Sequence, residues 1–241
     1  MLFIRSLIFT VIFVFLTAFV CISAVVLFPF PRKYLIAYIT WWSRSCLWLS
    51  RVLVGIKLVV KGKENLPKEG GYIIACKHQS AFDTVIFHSL VNAPAYIFKI
   101  EMAKVPFMGW TMKKMGCIAV DRKGGTRAMR NMFENAKQKL AEGKTVVIFP
   151  EGTRRAPDDE PLYNPGVAMI YDQTKAEVVP AAINSGYLWP KNSFIKKAGT
   201  VTLEFLPPIK PGMEKRAFLD KLQQEIEGAC SRLPKGEKNG K

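Results

Sequence analysis

Residues 7–30 form a run of 24 residues with no charged side chain, rich in Phe, Val and Ile. As a helix this run is about 36 Å long, enough to cross a bilayer or to lie deep in one. It is longer than the apolar core of a secretion signal, and no clear small-x-small pattern follows it, so it is expected to stay attached. Pro29 and Pro31 end it. The next segment, 34–53, is built differently. Lys33, Arg44 and Arg51 fall within about 20° of one another on a helical wheel. Trp41, Trp42 and Trp48 stand among Leu and Ile. A basic stripe beside Trp-rich apolar faces is the composition of a helix lying in the membrane interface. Residues 1–55 are therefore expected to form a two-helix anchor with a proline turn, one arm buried in the bilayer and one flat on it. Whether the first arm crosses or dips in and returns stays open. No Asp or Glu precedes Glu64. The basic excess after the apolar run predicts that the rest of the chain is cytoplasmic.

The net charge of +16 points to an anionic partner. A nucleic acid is not expected, because no strand carries interleaved aromatic and basic residues and the anchor argues for a membrane. Cys21, Cys46, Cys76, Cys117 and Cys230 are scattered and odd in number, with no metal or redox spacing, so reduced thiols are expected and no metal.

From residue 56 onward short apolar runs alternate with helix-period stretches. Strands are predicted at 56–61, 72–76, 95–99, 117–120, 145–149, 178–183 and 200–206. Helices are predicted at 81–91, 107–114, 126–141, 166–175 and 213–232. This alternation predicts an α/β domain over 56–233, with a largely parallel sheet of about seven strands flanked by helices. A charged tail, 234–241, follows. Ligands of such sheets sit past the carboxyl ends of strands, and His78, Arg122, Glu151 and Pro180 are all expected there.

The run from Gly71 to Asp83 carries the first chemical signal. His78 and Asp83 are five positions apart, about 140° on a helix and roughly 16 Å along a strand, so they meet only if the chain turns between them. A strand-to-helix turn with Ser80 as N-cap does this. Asp83 then holds the His78 ring in one tautomer, the usual build of a general base. Phe149-Pro-Glu-Gly-Thr-Arg154 follows another predicted strand; its glycine permits close backbone approach and its arginine offers a fork for phosphate. Gly116-Cys-Ile-Ala-Val-Asp-Arg122 again ends a strand in arginine, and Lys99 ends a third. Ser80 reads as a cap rather than a nucleophile, Cys76 as a buried strand thiol, and His88 as a packed, satisfied core histidine. Asp158, Asp159 and Glu160 read as solvated loop charge.

The ordered set His78-x4-Asp83, Gly116 to Arg122, Phe149-Pro-Glu151-Gly-Thr-Arg154 and Val179-Pro180 resembles the four motifs of the glycerolipid acyltransferase superfamily. The 99–110 stretch and the amino-terminal hairpin narrow the resemblance to the bacterial lysophosphatidate acyltransferases. Two positions depart from the pattern: Ala119 stands where an aromatic is usual, and Arg155 where a small residue is common, adding phosphate or membrane charge. The resemblance implies an enzyme of the inner membrane's cytoplasmic face, acting on anionic phospholipid surfaces and needing no cofactor. His78 would take the proton of the sn-2 hydroxyl of lysophosphatidate as it attacks an acyl thioester on acyl carrier protein or coenzyme A. Asp83 would orient the ring. Lys99, Arg122 and Arg154 would hold the phosphate, with Glu151 and Gly152 shaping that pocket and Pro180 near the acyl or oxyanion region. Other acceptors on the same chemistry, and a non-enzymatic basic membrane binder, are the competing readings. A serine hydrolase lacks its Gly-x-Ser-x-Gly elbow.

Overall fold

A computed structural model describes residues 1–121 and 123–235. The chain begins with two helices, α1 (Leu2–Ser23) and α2 (Arg32–Leu49), joined through a 3-10 turn and the expected proline break. Seven strands follow: β1 (Ile56–Lys61), β2 (Ile73–Cys76), β3 (Ala95–Lys99), β4 (Ile118–Val120), β5 (Val146–Ile148), β6 (Val178–Ile183) and β7 (Gly199–Phe205). Six helices lie between and after them: α3 (Phe82–Leu90), α4 (Ile100–Ala103), α5 (Met108–Met115), α6 (Gly125–Ala141), α7 (Gly166–Thr174) and α8 (Lys215–Arg232).

The strands form one sheet in the order β1-β7-β6-β2-β5-β3-β4. Every pairing is parallel except that of β6 with β7. Alternation along the central strands sorts their side chains. Ile73 and Ala75 of β2 face α6, α7 and α8, packing with Met132, Ala136, Tyr171, Phe218 and Leu222. Ile74 and Cys76 face the other way, toward α3 and the amino-terminal hairpin, with Phe82, Ile86 and Phe9. Both faces are thus covered, as a parallel sheet requires. Helix α8 starts at Lys215, later than the sequence predicts, because the Glu214 carboxylate accepts from the Arg216 and Ala217 amides and caps it. Helix α4 was not expected from the sequence; Pro106 separates it from α5. Of the expected tail, Pro234 and Lys235 are described, and Asn184 Nδ2 donates to the Pro234 carbonyl at 2.7 Å.

The two expected helices of the hairpin pack on each other and on the domain. Helix α1 meets the domain near its start and α2 near its end. Ser6, Phe9 and Val20 are buried on one face, with Phe13 and Leu16 partly so, the spacing of a helix lying lengthwise on a surface. Near its start, Ser6 Oγ accepts from the Lys196 amide at 3.0 Å, Lys196 Nζ donates to Thr10 Oγ1 at 2.9 Å, and Phe9 meets Trp189 edge-on. Near its end, Trp42 donates to Thr17 Oγ1, and Ser23 shares a hydrogen bond with Tyr38. The opposite face carries Ile8, Val11, Ile12, Phe15, Phe19 and Ile22, all exposed. The helix thus has one face packed on protein and an opposite face that is apolar and exposed.

Tyr171 and Phe218 stack at 3.8 Å with planes 5° apart, fastening α8 to α7. Phe218→Ala is expected to lower stability by about 3–5 kcal/mol, read by chemical denaturation in detergent.

Candidate active site

β2 delivers Lys77 and His78 to a turn that closes on the first residues of α3. The turn is organised by the buried Asp83 carboxylate. Its Oδ2 accepts from His78 Nδ1 at 3.0 Å, from the Gln79 amide at 2.7 Å and from the Ser80 amide at 2.8 Å. Its Oδ1 accepts from Ser185 Oγ at 2.5 Å. Four donors on one carboxylate offset the cost of burying a charge. With Nδ1 donating, the second ring nitrogen, Nε2, is the basic one. The ring stacks on Phe149 at 4.0 Å, 18° from parallel, so hydrogen bond and stack together fix its plane. Ser80 is not the N-cap expected of it, since Ala81 holds that position without a side-chain bond; one residue earlier, Ser80 Oγ accepts from the Phe82 amide.

Glu151 holds the same loop from the β5 side: its Oε2 accepts the His78 amide at 2.8 Å. It is buried, and burial pushes its carboxyl up to about 7, against the pull of the His78 amide and Lys77. Its Oε1 has no partner among the described residues. Gly152 makes the turn that follows, at φ 67°, its amide returning to the Phe149 carbonyl. The Arg155 amide then donates to the His78 carbonyl at 2.9 Å. Arg155 therefore serves the loop through its backbone. Its Nε is sealed without a partner among the described residues, and it is not part of the cavity wall.

His78 opens onto a cavity of about 820 Å³. Lys99, at the end of β3, Gly152 and Arg154 line it as expected; Lys99 and Arg154 are exposed and make no ion pair among the described residues. Away from this polar mouth the walls are apolar and rich in methionine, with Met102, Met108, Met112, Met115, Met129 and Met132. The far side is made by the hairpin, through Val20, Cys21, Ile39 and Trp42. Glu151 stands behind the wall. Arg122 lies outside the described residues.

Pro180 is not where the sequence analysis expects it. It is the third residue of β6, buried between β2 and β7, opposite Ala75, and does not line the cavity. It lies one residue before the first β6–β7 ladder pair, Ala181 with Phe205, and its carbonyl accepts from the Leu206 amide. The contribution of that segment comes five residues later, from Ser185. His88 is packed between Tyr96 and Trp42, but its Nδ1 has no partner among the described residues, and burial lowers its pKa to about 4. Cys76 is buried with its thiol pushed well up by burial, and neither it nor Ser80 lines the cavity. Asp158 is taken by Tyr187 and Lys235.

Sequence reasoning also passed over Lys77. Its side chain, buried, crosses to the other sheet face, where Nζ meets Glu227 of α8 at 2.5 Å. Tyr163 donates to the other oxygen of Glu227 at 3.0 Å. No spacing signal links these residues; only the fold brings positions 150 apart together.

With Nε2 and two cations at the mouth unpaired among the described residues and an apolar cavity behind, the site suits proton transfer beside a phosphate-bearing, acyl-bearing molecule. Similarity to known proteins points the same way. An acyltransferase family model matches residues 57–184. The chain is 31% identical over 203 residues to a 1-acyl-sn-glycerol-3-phosphate acyltransferase of Pseudomonas aeruginosa, covering 84% of this chain and 78% of that protein. It is 30% identical to the Borreliella burgdorferi protein of the same name, over 69% of this chain and 67% of that one. The crystal structure of the 1-acyl-sn-glycerophosphate acyltransferase of Thermotoga maritima matches with a TM-score of 0.79 at 25% identity, over 96% of this chain and 97% of that one.

Because Glu151 is held above the ordinary carboxylate range, the folded state binds its proton more tightly than the unfolded chain does. Its contribution to stability is full below about pH 4.5 and is lost as pH rises toward about 7. Glu151→Gln keeps an acceptor for the His78 amide and cannot ionise. The variant's melting temperature relative to wild type is expected to climb between those pH values, measured by thermal melts across pH.

Proposed function

The chain belongs to the acyltransferase family, and on that premise we propose that it transfers an acyl group from a thioester to the sn-2 hydroxyl of lysophosphatidate, forming phosphatidate. The observation that carries this reading is the His78–Asp83 pair opening on a cavity with a cationic mouth and an apolar interior. The lysophosphatidate phosphate is held at the mouth by Lys99 and Arg154, with Arg122 the third cation expected from the sequence. His78 Nε2 takes the hydroxyl proton as that oxygen attacks the thioester carbonyl. Asp83 stabilises the imidazolium that forms. The tetrahedral intermediate collapses with cleavage of the carbon–sulfur bond, and the leaving thiolate takes the proton back from His78. The transfer is direct: Ser80 and Cys76 are buried away from the cavity, which argues against a covalent acyl-enzyme.

The amides of His78, Gln79 and Ser80 are already engaged, and so cannot serve the oxyanion. The Thr153 and Arg154 amides, on the cavity wall, have no acceptor among the described residues and are the donors we assign to it. The acyl chain lies among the methionines, whose flexible thioethers suit a long, conformationally varied chain. Both acyl carrier protein and coenzyme A are anionic, and the charge of +16 suits either donor.

The protein associates with the membrane through the hairpin. With α1 bound sideways to the domain, the exposed face of α1 enters one leaflet and the domain stays on one side, the cytoplasmic side by the charge pattern. This brings the cavity to the level at which lysophosphatidate resides.

Purified protein given lysophosphatidate and each acyl thioester is expected to form phosphatidate, and no product with either thioester would sink the proposal. His78→Ala is expected to lower kcat by roughly 10²- to 10⁴-fold with KM for lysophosphatidate little changed. Arg154→Ala is expected to act mainly on KM. If Arg154→Ala leaves KM untouched, the phosphate is held elsewhere.

A further inference from the structure

Between β3 and β4 the chain forms a lip whose outer surface the function above does not use. Met102, Val105, Phe107 and Trp110 all project into solvent there, and Phe107 meets Trp110 ring to ring at 5.2 Å. So many large apolar side chains on one short segment of a surface mark an interaction site. The segment is also tightly built. Phe107 sits at φ 61°, a conformation that bulky residues rarely adopt. At Gly109 a Cβ would stand 2.0 Å from the Ala103 carbonyl oxygen, so the turn closes on itself. The amides of Gly109 and Thr111 return to Val105 and Phe107. Backbone strain held in this way presents the apolar residues outward at a fixed geometry.

Its surroundings say what covers it. Lys104, Lys113 and Lys114 flank the segment, are exposed and form no ion pair among the described residues; Glu101 is the one acid between Lys99 and Gly116. Apolar tips rimmed by lysine fit the boundary between headgroups and acyl chains of an anionic bilayer. The lip is also continuous with the hairpin. α5 packs on it, with Met115 buried among Val20, Ala24, Leu35 and Ile39. Finally, the cavity runs along the seam between them, with Met102 and Met108 on the lip side and Val20, Ile39 and Trp42 on the hairpin side.

We propose that residues 102–110 form a second membrane-inserting element, immersed in the same leaflet as the hairpin, and that lipid-borne acceptor enters the cavity laterally between the two. This rests on the acyltransferase reading for what enters, but not for the insertion itself. Insertion places the cavity seam in the acyl-chain layer, so a lysophosphatidate molecule reaches His78 without its chain passing through water.

The test uses the full-length protein on vesicles of phosphatidylethanolamine and phosphatidylglycerol. With brominated acyl chains in those vesicles, wild type is expected to lose tryptophan emission by quenching, and Trp110→Phe to lose a smaller share. An unchanged quenched share in Trp110→Phe overturns the insertion, whatever the protein's activity. The triple variant Val105→Ser, Phe107→Ser, Trp110→Ser is then assayed on long-chain lysophosphatidate in vesicles and on a short-chain form dissolved as monomer. The KM for the vesicle-borne acceptor is expected to rise roughly tenfold or more, with turnover of the monomer unchanged and co-sedimentation retained through the hairpin. Equal loss on both acceptors, or no loss on either, overturns the lateral entry.

Discussion

The carboxylate of Asp83 is the constraint on which the site depends. A buried ionised group must be surrounded by donors or it costs several kcal/mol. Here the donors come from an imidazole, two successive backbone amides and a serine hydroxyl. Meeting that demand forces the chain after β2 to wrap round the first turn of α3, and the wrap is what turns His78 toward the cavity. Ser185, brought in from the end of β6, closes the last side. The orientation of the base and the bend in the backbone are therefore one event, since the ring hydrogen bond and the two amide hydrogen bonds share one oxygen.

A second layer holds that loop from outside. Glu151 takes the His78 amide, the Arg155 amide takes the His78 carbonyl, and Lys77 reaches through the sheet to Glu227 of α8. A lysine buried beside the site is tolerated only with its partner present; removing one member of such a pair costs about 3–5 kcal/mol. The carboxy-terminal helix is thereby coupled to a loop on the far side of the chain. Aromatic contacts extend the order inward, from the His78–Phe149 stack to Tyr96 and on to His88. The rigid wall of rings contrasts with the methionines elsewhere in the cavity, so the reacting end is fixed while the space for the chain can adapt.

Much of this was legible in the sequence where one local pattern determined one local structure. The alternation of apolar runs gave the seven strands within a residue or two, and a separation of five positions was enough to require a turn between His78 and Asp83. Lys99 and Arg154 could be placed at strand ends because parallel sheets put their ligands there. Pro180 failed for a related reason: its motif marks a strand, and the residue that reaches the site from it, Ser185, follows the strand's end. Lys77 with Glu227, and Ser6 and Thr10 with Lys196, had no local signal at all, because each pair is made by tertiary packing across most of the chain. The packing of the hairpin on the domain also lacked a signal. Composition reports that a helix is apolar enough for a membrane, but not that a stripe of Ser6, Phe9 and Phe13 binds it to a domain.

That sideways binding explains why anchor and enzyme share a core. Phe9 and Val54 pack in the same cluster as Ile74, Cys76 and Ile86, so the buried face of the hairpin contributes to the stability of the sheet that positions His78. The helix also closes the cavity, since Thr17, Val20 and Cys21 form part of its wall. One surface of α1 thus completes an acyl-sized space while the opposite surface remains apolar and exposed. An anchor on a flexible tether would hold the domain near the bilayer but leave its orientation free. On the proposed reading, a helix fused along the cavity fixes the depth and the facing of the opening relative to the leaflet, and the spacing between Lys99, Arg154 and the apolar interior is a property of the fold.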